Sequence, residues 1–175
     1  MDFHQDYFAL FNLPRRQTLD IHDLERRYQR IQATVHPDKH AHLGESERRL
    51  AMQLATKVNE AWLTLKHPGK RAAYLLQLLG HDVDIENNTV MPIDFLMRQM
   101  EAREAVMTAR NQQNAPLLDE LHRRIKNEIA SQHIQLQQAI DERCDFLEAA
   151  GMVRALMFQD KLLHDIDEAL IIIEE

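Results

Sequence analysis

Residues 20–40 read DIHDLERRYQRIQATVHPDKH, and this stretch decides the fold of the N-terminal half of the chain. Its apolar side chains recur every three or four residues, which predicts an amphipathic helix. They are Leu24, Tyr28, Ile31 and Val35. Asp20 or Thr18 is placed to cap the start of this helix. Because proline disfavours helix in the residue before it, the helix should end near His36.

A second amphipathic helix is predicted after a polar loop from Lys39 to Glu45. Its apolar positions again follow the helical period. They are Leu50, Leu54, Val58, Ala61 and Leu65. The two helices are therefore expected to form an antiparallel hairpin whose loop begins with His36-Pro37-Asp38. Each residue of this turn also has an ordinary structural role. His36 can be a cation near a helix C-terminus, Pro37 can end a helix, and Asp38 can cap the next turn.

Two shorter helices complete the predicted N-terminal domain. Residues 6–11, DYFALF, form a short apolar helix, and His67-Pro68 opens another that stops at Gly80. Residues 81–92, HDVDIENNTVMP, have little periodicity and are predicted to be a linker. The predicted domains are thus residues 1–80 and 93–175.

Three helices are predicted in the C-terminal domain. The first runs from Asp94, as its cap, to about Asn111. The second starts at Asn114 and reaches about Ala149, and Gly151 separates it from the last helix. Short connections between three amphipathic helices are typical of a three-helix bundle. With only four glycines and five prolines in 175 residues, we predict an all-α chain.

Composition excludes several classes of protein. No apolar run approaches the roughly 20 residues that span a bilayer, and the N-terminus lacks the basic start and apolar core of a secretion signal. A single cysteine excludes an internal disulfide framework. Residues 1–80 carry 12 Lys/Arg and 9 Asp/Glu, whereas residues 81–175 carry 9 and 19, so the C-terminal half is a poor nucleic-acid binder. We expect a cytoplasmic protein with no membrane and no nucleic-acid partner.

The helix from residue 94 has more apolar residues than one buried stripe requires. Phe95, Ala102, Val106 and Ala109 share one side of the helix. A second side carries Leu96, Met97, Met100 and Met107, beside Glu101 and Glu104. This second side is either an exposed partner site or is buried against the N-terminal domain, and the helical wheel alone favours neither. In the last helix, Phe158 lies well off the main apolar stripe.

Two levels of resemblance follow from these segments. The hairpin with His-Pro-Asp at its loop resembles a J-domain. Across nearly the whole chain, and in order, the sequence resembles the HscB family of co-chaperones of bacterial iron–sulfur cluster assembly. The segments that carry this likeness are DYFALFNLP, VHPDK, VNEAWLTLKHP, RAAYLL and FLMRQMEAREA.

The resemblance implies two binding sites and no catalytic residue or cofactor. One site docks on the ATPase of an HscA-type heat-shock chaperone and stimulates it. By motif matching it comprises His36, Pro37, Asp38, Arg26, Arg27, Arg30 and Lys39. The other presents the IscU-type scaffold protein on which clusters are built. It comprises Leu96, Met97, Met100, Glu101, Glu104 and Phe158. Arg98 and Thr108 stand where the family often has acidic residues, which weakens electrostatic steering without removing the apolar anchor.

Other functions are weighed against this interpretation. A generic J-domain co-chaperone, delivering other clients to a DnaK-type chaperone, is the alternative; the Gly/Phe-rich linker and Cys-rich repeats common in such proteins are missing. No Gly-rich phosphate loop, nucleophile elbow or HExxH motif indicates an enzyme. Cys144 has acidic neighbours that disfavour its thiolate, so we expect a bundle residue. His36, His40 and His42 are close in sequence, but we expect surface histidines and no metal site.

Overall fold

The computed structural model describes residues 5–35, 44–81, 83 and 91–174. The regular elements among them are all helices, joined by turns and loops, and these residues form no strand. The prediction of an all-α chain is confirmed. Over these residues the helices are α1 (Tyr7–Leu10), α2 (Ile21–Val35), α3 (Glu45–Lys66), α4 (Pro68–Leu78), α5 (Ile93–Asn111), α6 (Ala115–Asp141) and α7 (Phe146–Glu174). The chain forms two compact units, Met1–Leu75 and Leu76–Glu175.

The N-terminal unit is built on the predicted hairpin of α2 and α3. The Asp20 carboxylate accepts hydrogen bonds from the backbone N–H groups of His22 (2.9 Å) and Asp23 (3.1 Å), so it is the cap of α2. The core of the unit combines residues from all its helices. Its fully or nearly fully buried apolar side chains are Phe8, Phe11, Leu24, Val35, Val58, Ala61, Leu65, Ala72 and Leu75.

The start of α3 is more exposed than its apolar pattern predicts. Leu50, which we expected on the buried face, is 51% exposed. Tyr28 stacks on Trp62, and its hydroxyl lies 3.0 Å from the Asn59 side chain. An antiparallel pairing with this register brings Val35 level with about residue 53 of α3. Leu50 therefore lies about one turn of α3 beyond the level of Val35.

The fourth helix is fixed to this hairpin by polar groups and ring contacts. It begins at Pro68 as predicted, and the buried Arg71 donates a hydrogen bond of 2.6 Å to the carbonyl of Leu65. Tyr74 stacks on Tyr7 at 4.4 Å, and its hydroxyl accepts from the Tyr7 N–H. Gly80 has a φ of +81°, the left-handed conformation that glycine adopts after a helix end.

The C-terminal unit is the predicted three-helix bundle, because α5, α6 and α7 each pack on the other two. Its core takes one stripe from each helix. The buried apolar residues include Phe95, Ala102, Val106, Ala109, Leu118, Leu121, Ile125, Leu136, Val153, Leu156, Leu162 and Ile166. Asn114 caps α6 as predicted, since its side chain accepts from the Leu117 N–H. The residue before α5 is Pro92, so Asp94 lies in the first turn and is not the cap.

The predicted boundary between the last two helices was wrong. α6 ends at Asp141, and α7 starts at Phe146 and continues through Gly151. Cys144 turns the chain with a φ of +53°, and the Asp145 carboxylate then accepts from the Glu148 N–H as a cap. A single glycine costs a helix only about 1 kcal/mol, so a long amphipathic helix tolerates it. Cys144 is exposed in this turn and is not part of the bundle core.

The predicted linker, residues 81–92, falls mostly outside the described residues, and its bounds stay a prediction. Two of its residues belong to the core of the C-terminal unit. Val83 is 2% exposed and Met91 9% exposed. Arg154 of α7 donates a hydrogen bond of 3.1 Å to the Val83 carbonyl, which holds this segment against the bundle.

Candidate functional site

The second apolar side of α5 is exposed to solvent. Leu96 is 37% exposed, Met97 55% and Met100 64%. Met107 lies two further turns along the same side and is also 64% exposed. We call these four side chains, with Glu101 and Glu104, the α5 patch. These residues face away from the core of the bundle, and exposed methionines are typical of adaptable binding surfaces.

The core side of α5 explains why its other side is free. Phe95, Ala102, Val106 and Ala109 already face the bundle, and the buried Gln99 lies among them. Residues 96, 100 and 107 are rotated by about 100–140° from Phe95 on an α-helix, which turns them away from that core. One helix thus provides both a buried stripe and a separate apolar surface.

Phe158 of α7 contacts the start of α5. Its ring is half-buried and meets the ring of Phe95 edge to face, with the centroids 6.0 Å apart. The neighbouring Met157 is exposed, and we did not single it out from the sequence. The sequence contained a signal for Met157. This residue directly follows the buried Leu156, so it lies off the apolar stripe of α7 that faces the core. The structure therefore places Phe158 against Phe95, the residue that precedes Leu96 of the α5 patch.

The carboxylates of the α5 patch are available to a partner. Glu101 and Glu104 are exposed, and neither forms a salt bridge with any residue that the structure describes. An apolar surface next to two unpaired carboxylates fits a partner that has apolar side chains with Lys or Arg beside them. Arg98 is exposed too, but it lies on the opposite flank of α5 from Leu96 and Met100.

Helix α2 carries the second predicted site. Arg26 and Arg30 are exposed, and Arg26 pairs with Asp23 at 2.9 Å. Hydrogen bonds from Arg26 and Arg27 lower the pKa of the Asp23 carboxyl, and the bond to Asp23 raises the pKa of Arg26, so Asp23 and Arg26 form an ion pair near neutral pH. Arg30 forms no salt bridge with a described residue, which leaves its guanidinium free for a partner.

Arg27, which the resemblance assigns to this site, is only partly exposed and is used inside the protein. Its Nε donates to Asp23 at 2.7 Å, and its Nη1 donates to the backbone carbonyls of Phe11 (3.0 Å) and Asn12 (2.7 Å). Asn12 has a φ of +51°, so the turn after α1 aims these carbonyls at the guanidinium. A helical pattern cannot reveal this contact, because it joins residues 15 and 16 positions apart.

The remaining residues of this site lie outside the described residues. They are His36, Pro37, Asp38 and Lys39. The structure carries α2 as far as Val35, the residue before the turn. His40 and His42 also lie outside the described part. Within the described part, no group of three or more His, Cys, Asp or Glu could hold a metal ion, and no helix is long and apolar enough to cross a membrane.

Comparison with known proteins gives a consistent result along the chain. The family described as HSCB C-terminal oligomerisation domain matches residues 91–167. A curated protein named co-chaperone protein HscB homolog, from Aromatoleum aromaticum, is 48% identical over 170 residues, which cover 97% of this chain and 96% of the relative. A protein of the same name from Azoarcus is 46% identical over equal shares.

Solved structures agree with the sequence comparisons. The chaperone HscB from Vibrio cholerae has a TM-score of 0.82 at 32% identity, over 94% of this chain and 96% of that structure. The human co-chaperone protein HscB has a TM-score of 0.89 at 27% identity, over 96% of this chain and 83% of that structure. The similarity thus extends over both compact units.

Proposed function

The chain belongs to the HscB family of co-chaperones, and from this premise we propose that it connects an ATP-driven chaperone to one client protein. The chaperone is an HscA-type heat-shock protein, whose ATPase is stimulated through the His36-Pro37-Asp38 turn and helix α2. The client is an IscU-type scaffold protein, which binds to the α5 patch and Phe158. The protein thereby assists the maturation of iron–sulfur proteins in the cytoplasm.

The exposure of the α5 patch is the observation that carries this proposal. Leu96, Met100 and Met107 form an exposed apolar row, and its contact with water is unfavourable in the isolated protein. The free energy falls when a partner covers these side chains. The carboxylates of Glu101 and Glu104 beside it select a partner with basic groups. These features fit a site for a folded client better than a site for unfolded chains, which need broad apolar access.

The basic groups of α2 support the chaperone side of the proposal. Arg26 and Arg30 are exposed on the same helix, within three turns of the His36-Pro37-Asp38 turn in sequence. Exposed guanidinium groups suit an acidic protein surface, and such charge pairs chiefly raise the rate of encounter. Arg27 contributes by fixing the turn after α1 to α2, so we assign it a supporting part in this site.

The proposed mechanism requires no chemistry from this protein. Binding both partners at once raises the concentration of client at the chaperone far above its concentration in solution. Hydrolysis takes place in the chaperone, and the contribution of this chain is the two contacts. We therefore infer that it has no catalytic residue and needs no cofactor.

The proposal predicts that the double variant Leu96→Ala/Phe158→Ala loses most of its affinity for an IscU-type scaffold. Truncating two apolar anchors of an interface should weaken binding by roughly 2–4 kcal/mol, which is about 30-fold or more. Titration calorimetry with purified scaffold measures the loss. Stimulation of the chaperone ATPase without scaffold should stay as in the wild type.

A matched control truncates two apolar side chains of the same unit that lie outside the α5 patch. Leu147 and Ile134 are 81% and 60% exposed, so Ile134→Ala/Leu147→Ala removes similar surface elsewhere. This control should bind scaffold with the wild-type affinity. Equal affinities of all three proteins would show that the α5 patch is not the client site.

A further inference from the structure

Arg103 lies on the same side of α5 as the apolar row of the α5 patch. Leu96, Met100, Arg103 and Met107 are spaced by four, three and four residues, so they follow one another along one side of the helix. On an α-helix, Arg103 is rotated by about 80° from Phe95, which places it between the buried stripe and the exposed row. The α5 patch therefore has a basic group at its edge toward the core.

This arginine has no anionic partner in the described part of the chain. It is half-buried, and its Nε is buried without a hydrogen-bond partner among the described residues, whereas its two terminal nitrogens reach solvent. It also forms no salt bridge with a described residue. Its helical neighbours three and four positions away are Gln99, Met100, Val106 and Met107, none of which carries a carboxylate. Arg103 thus holds an unpaired positive charge beside an apolar surface.

The carboxylates of the α5 patch lie at its other edge. Glu104 is rotated by about 100° from Arg103 and Glu101 by about 160°, so the row that contains Met100 and Met107 lies between the two signs of charge. Across the helix the order is basic, apolar and acidic. A partner can match this order in one orientation only, because the reversed orientation would bring like charges together.

A partner that covers the α5 patch removes water from Arg103 as well. Taking a guanidinium out of water is costly unless an anion replaces the lost solvation. Its planar fork fits a carboxylate, to which it donates two parallel hydrogen bonds. We infer that the bound client places an Asp or Glu side chain against Arg103, and that this ion pair fixes the orientation of the client across α5. This inference rests on the proposed client-binding function and adds a specificity-determining residue to it.

Removal of the charge at residue 103 tests the inference through binding rates. In Arg103→Gln, a carboxylate of the scaffold loses its counter-charge inside the interface, so the dissociation rate should rise roughly tenfold while the association rate changes less than about twofold. Arg123→Gln is the matched control, because it removes the same charge from an exposed arginine of α6. The control should dissociate as slowly as the wild type. Surface plasmon resonance with immobilised scaffold measures both rates.

Paired substitutions identify the carboxylate on the scaffold. Each exposed Asp or Glu of an IscU-type scaffold is changed to its amide, and the affinity of each variant is measured for the wild type and for Arg103→Gln. One substitution should weaken binding to the wild type about tenfold and to Arg103→Gln only slightly, because the two changes remove the same ion pair. Arg103→Lys should retain part of the affinity, since it keeps the charge but loses the paired hydrogen bonds.

A purely structural Arg103 gives a different set of results. If its aliphatic stem only covers apolar surface of the bundle, Arg103→Gln lowers the free energy of unfolding, measured by circular dichroism in urea, and leaves the dissociation rate unchanged. Scaffold binding that is lost in Leu96→Ala/Phe158→Ala but not in Arg103→Gln overturns the inference and leaves the proposed function intact. A folded wild type that does not bind scaffold overturns the proposed function, and the inference with it.

Discussion

At the scale of single residues, neighbouring arginines of α2 have different tasks. Arg27 uses two of its nitrogens inside the molecule, on Asp23 and on the carbonyls of Phe11 and Asn12. Arg30, one turn further on, is exposed and has no salt bridge to a described residue. The sequence pattern does not distinguish Arg27 from Arg30, because both are basic residues of the same helix. It contains no information on which backbone carbonyls from distant parts of the chain lie near each guanidinium.

This difference predicts opposite results for two arginine variants. Arg27→Ala should lower the free energy of unfolding of the N-terminal unit by about 1–2 kcal/mol, since it leaves two carbonyls without their donor. Arg30→Ala should change stability by less than about 0.5 kcal/mol but reduce ATPase stimulation. Trp62, the single tryptophan, lies in this unit and reports its urea unfolding by fluorescence. A stable Arg27→Ala would refute the structural part assigned to Arg27.

The Asp6 carboxyl makes the folding stability of the N-terminal unit depend on pH. Burial raises the pKa of this carboxyl, but hydrogen bonds from the Ala9 N–H and from Arg15 outweigh it and hold the pKa below the usual 3.8. A lowered folded-state pKa contributes stability above pH 3.8 that is lost as the pH falls through the folded value.

The corresponding prediction compares wild type with Asp6→Asn. The amide can still cap α1 but does not titrate, so the variant should lose less stability between about pH 5 and pH 2. Urea unfolding followed by Trp62 fluorescence at several pH values measures this slope. Identical slopes for the two proteins would mean that Asp6 contributes nothing to the acid dependence.

At the scale of elements, periodicity predicted most helices, and local chemistry decided their ends. α2, α4 and the start of α6 were predicted from their caps and their prolines, which act on adjacent residues. The turn between α6 and α7 was missed, because Cys144 is an unusual residue for the left-handed conformation and the glycine at 151 gave a stronger signal. Local sequence rules therefore miss a helix end at which a residue other than glycine adopts the left-handed conformation.

The continuous helix α7 predicts that Gly151→Ala stabilises the protein. A Cβ at this position would lie 3.8 Å from the nearest atom, on the flexible Arg154 side chain, so alanine fits. The gain should be about 0.5–1 kcal/mol in unfolding monitored by circular dichroism. Gly80→Ala serves as the contrast and should destabilise, because Gly80 has a φ of +81°. If Gly151→Ala destabilised instead, the chain would bend at this glycine as the sequence first suggested.

Gln99 shows what an element-by-element prediction cannot provide. It falls on the core side of α5 in a helical wheel, but a glutamine at such a place is ordinarily taken as surface. In the packed bundle it is only 7% exposed. Burial of this kind is a property of the three packed helices and of no single helix.

At the scale of the whole molecule, the prediction of a J-domain followed by a helical bundle is confirmed by the two HscB structures. Residues 1–80 carry an excess of Lys and Arg and residues 81–175 an excess of Asp and Glu, which is in keeping with the two different partners that we propose. The α5 patch was found from the wheel alone as a second apolar side, whereas its exposure required the packed bundle. The two binding surfaces that we propose belong to different compact units, and this separation is the physical basis of the proposed coupling.

The central claim is that this chain couples client binding to hydrolysis through the His36-Pro37-Asp38 turn. Single-turnover ATP hydrolysis by an HscA-type chaperone tests it most directly, with the protein added alone, with scaffold, and as His36→Gln. We predict stimulation that grows when scaffold is present and disappears in His36→Gln, while that variant still binds scaffold. Stimulation that ignores scaffold and is matched by a DnaK-type chaperone, or that survives in His36→Gln, would contradict the account.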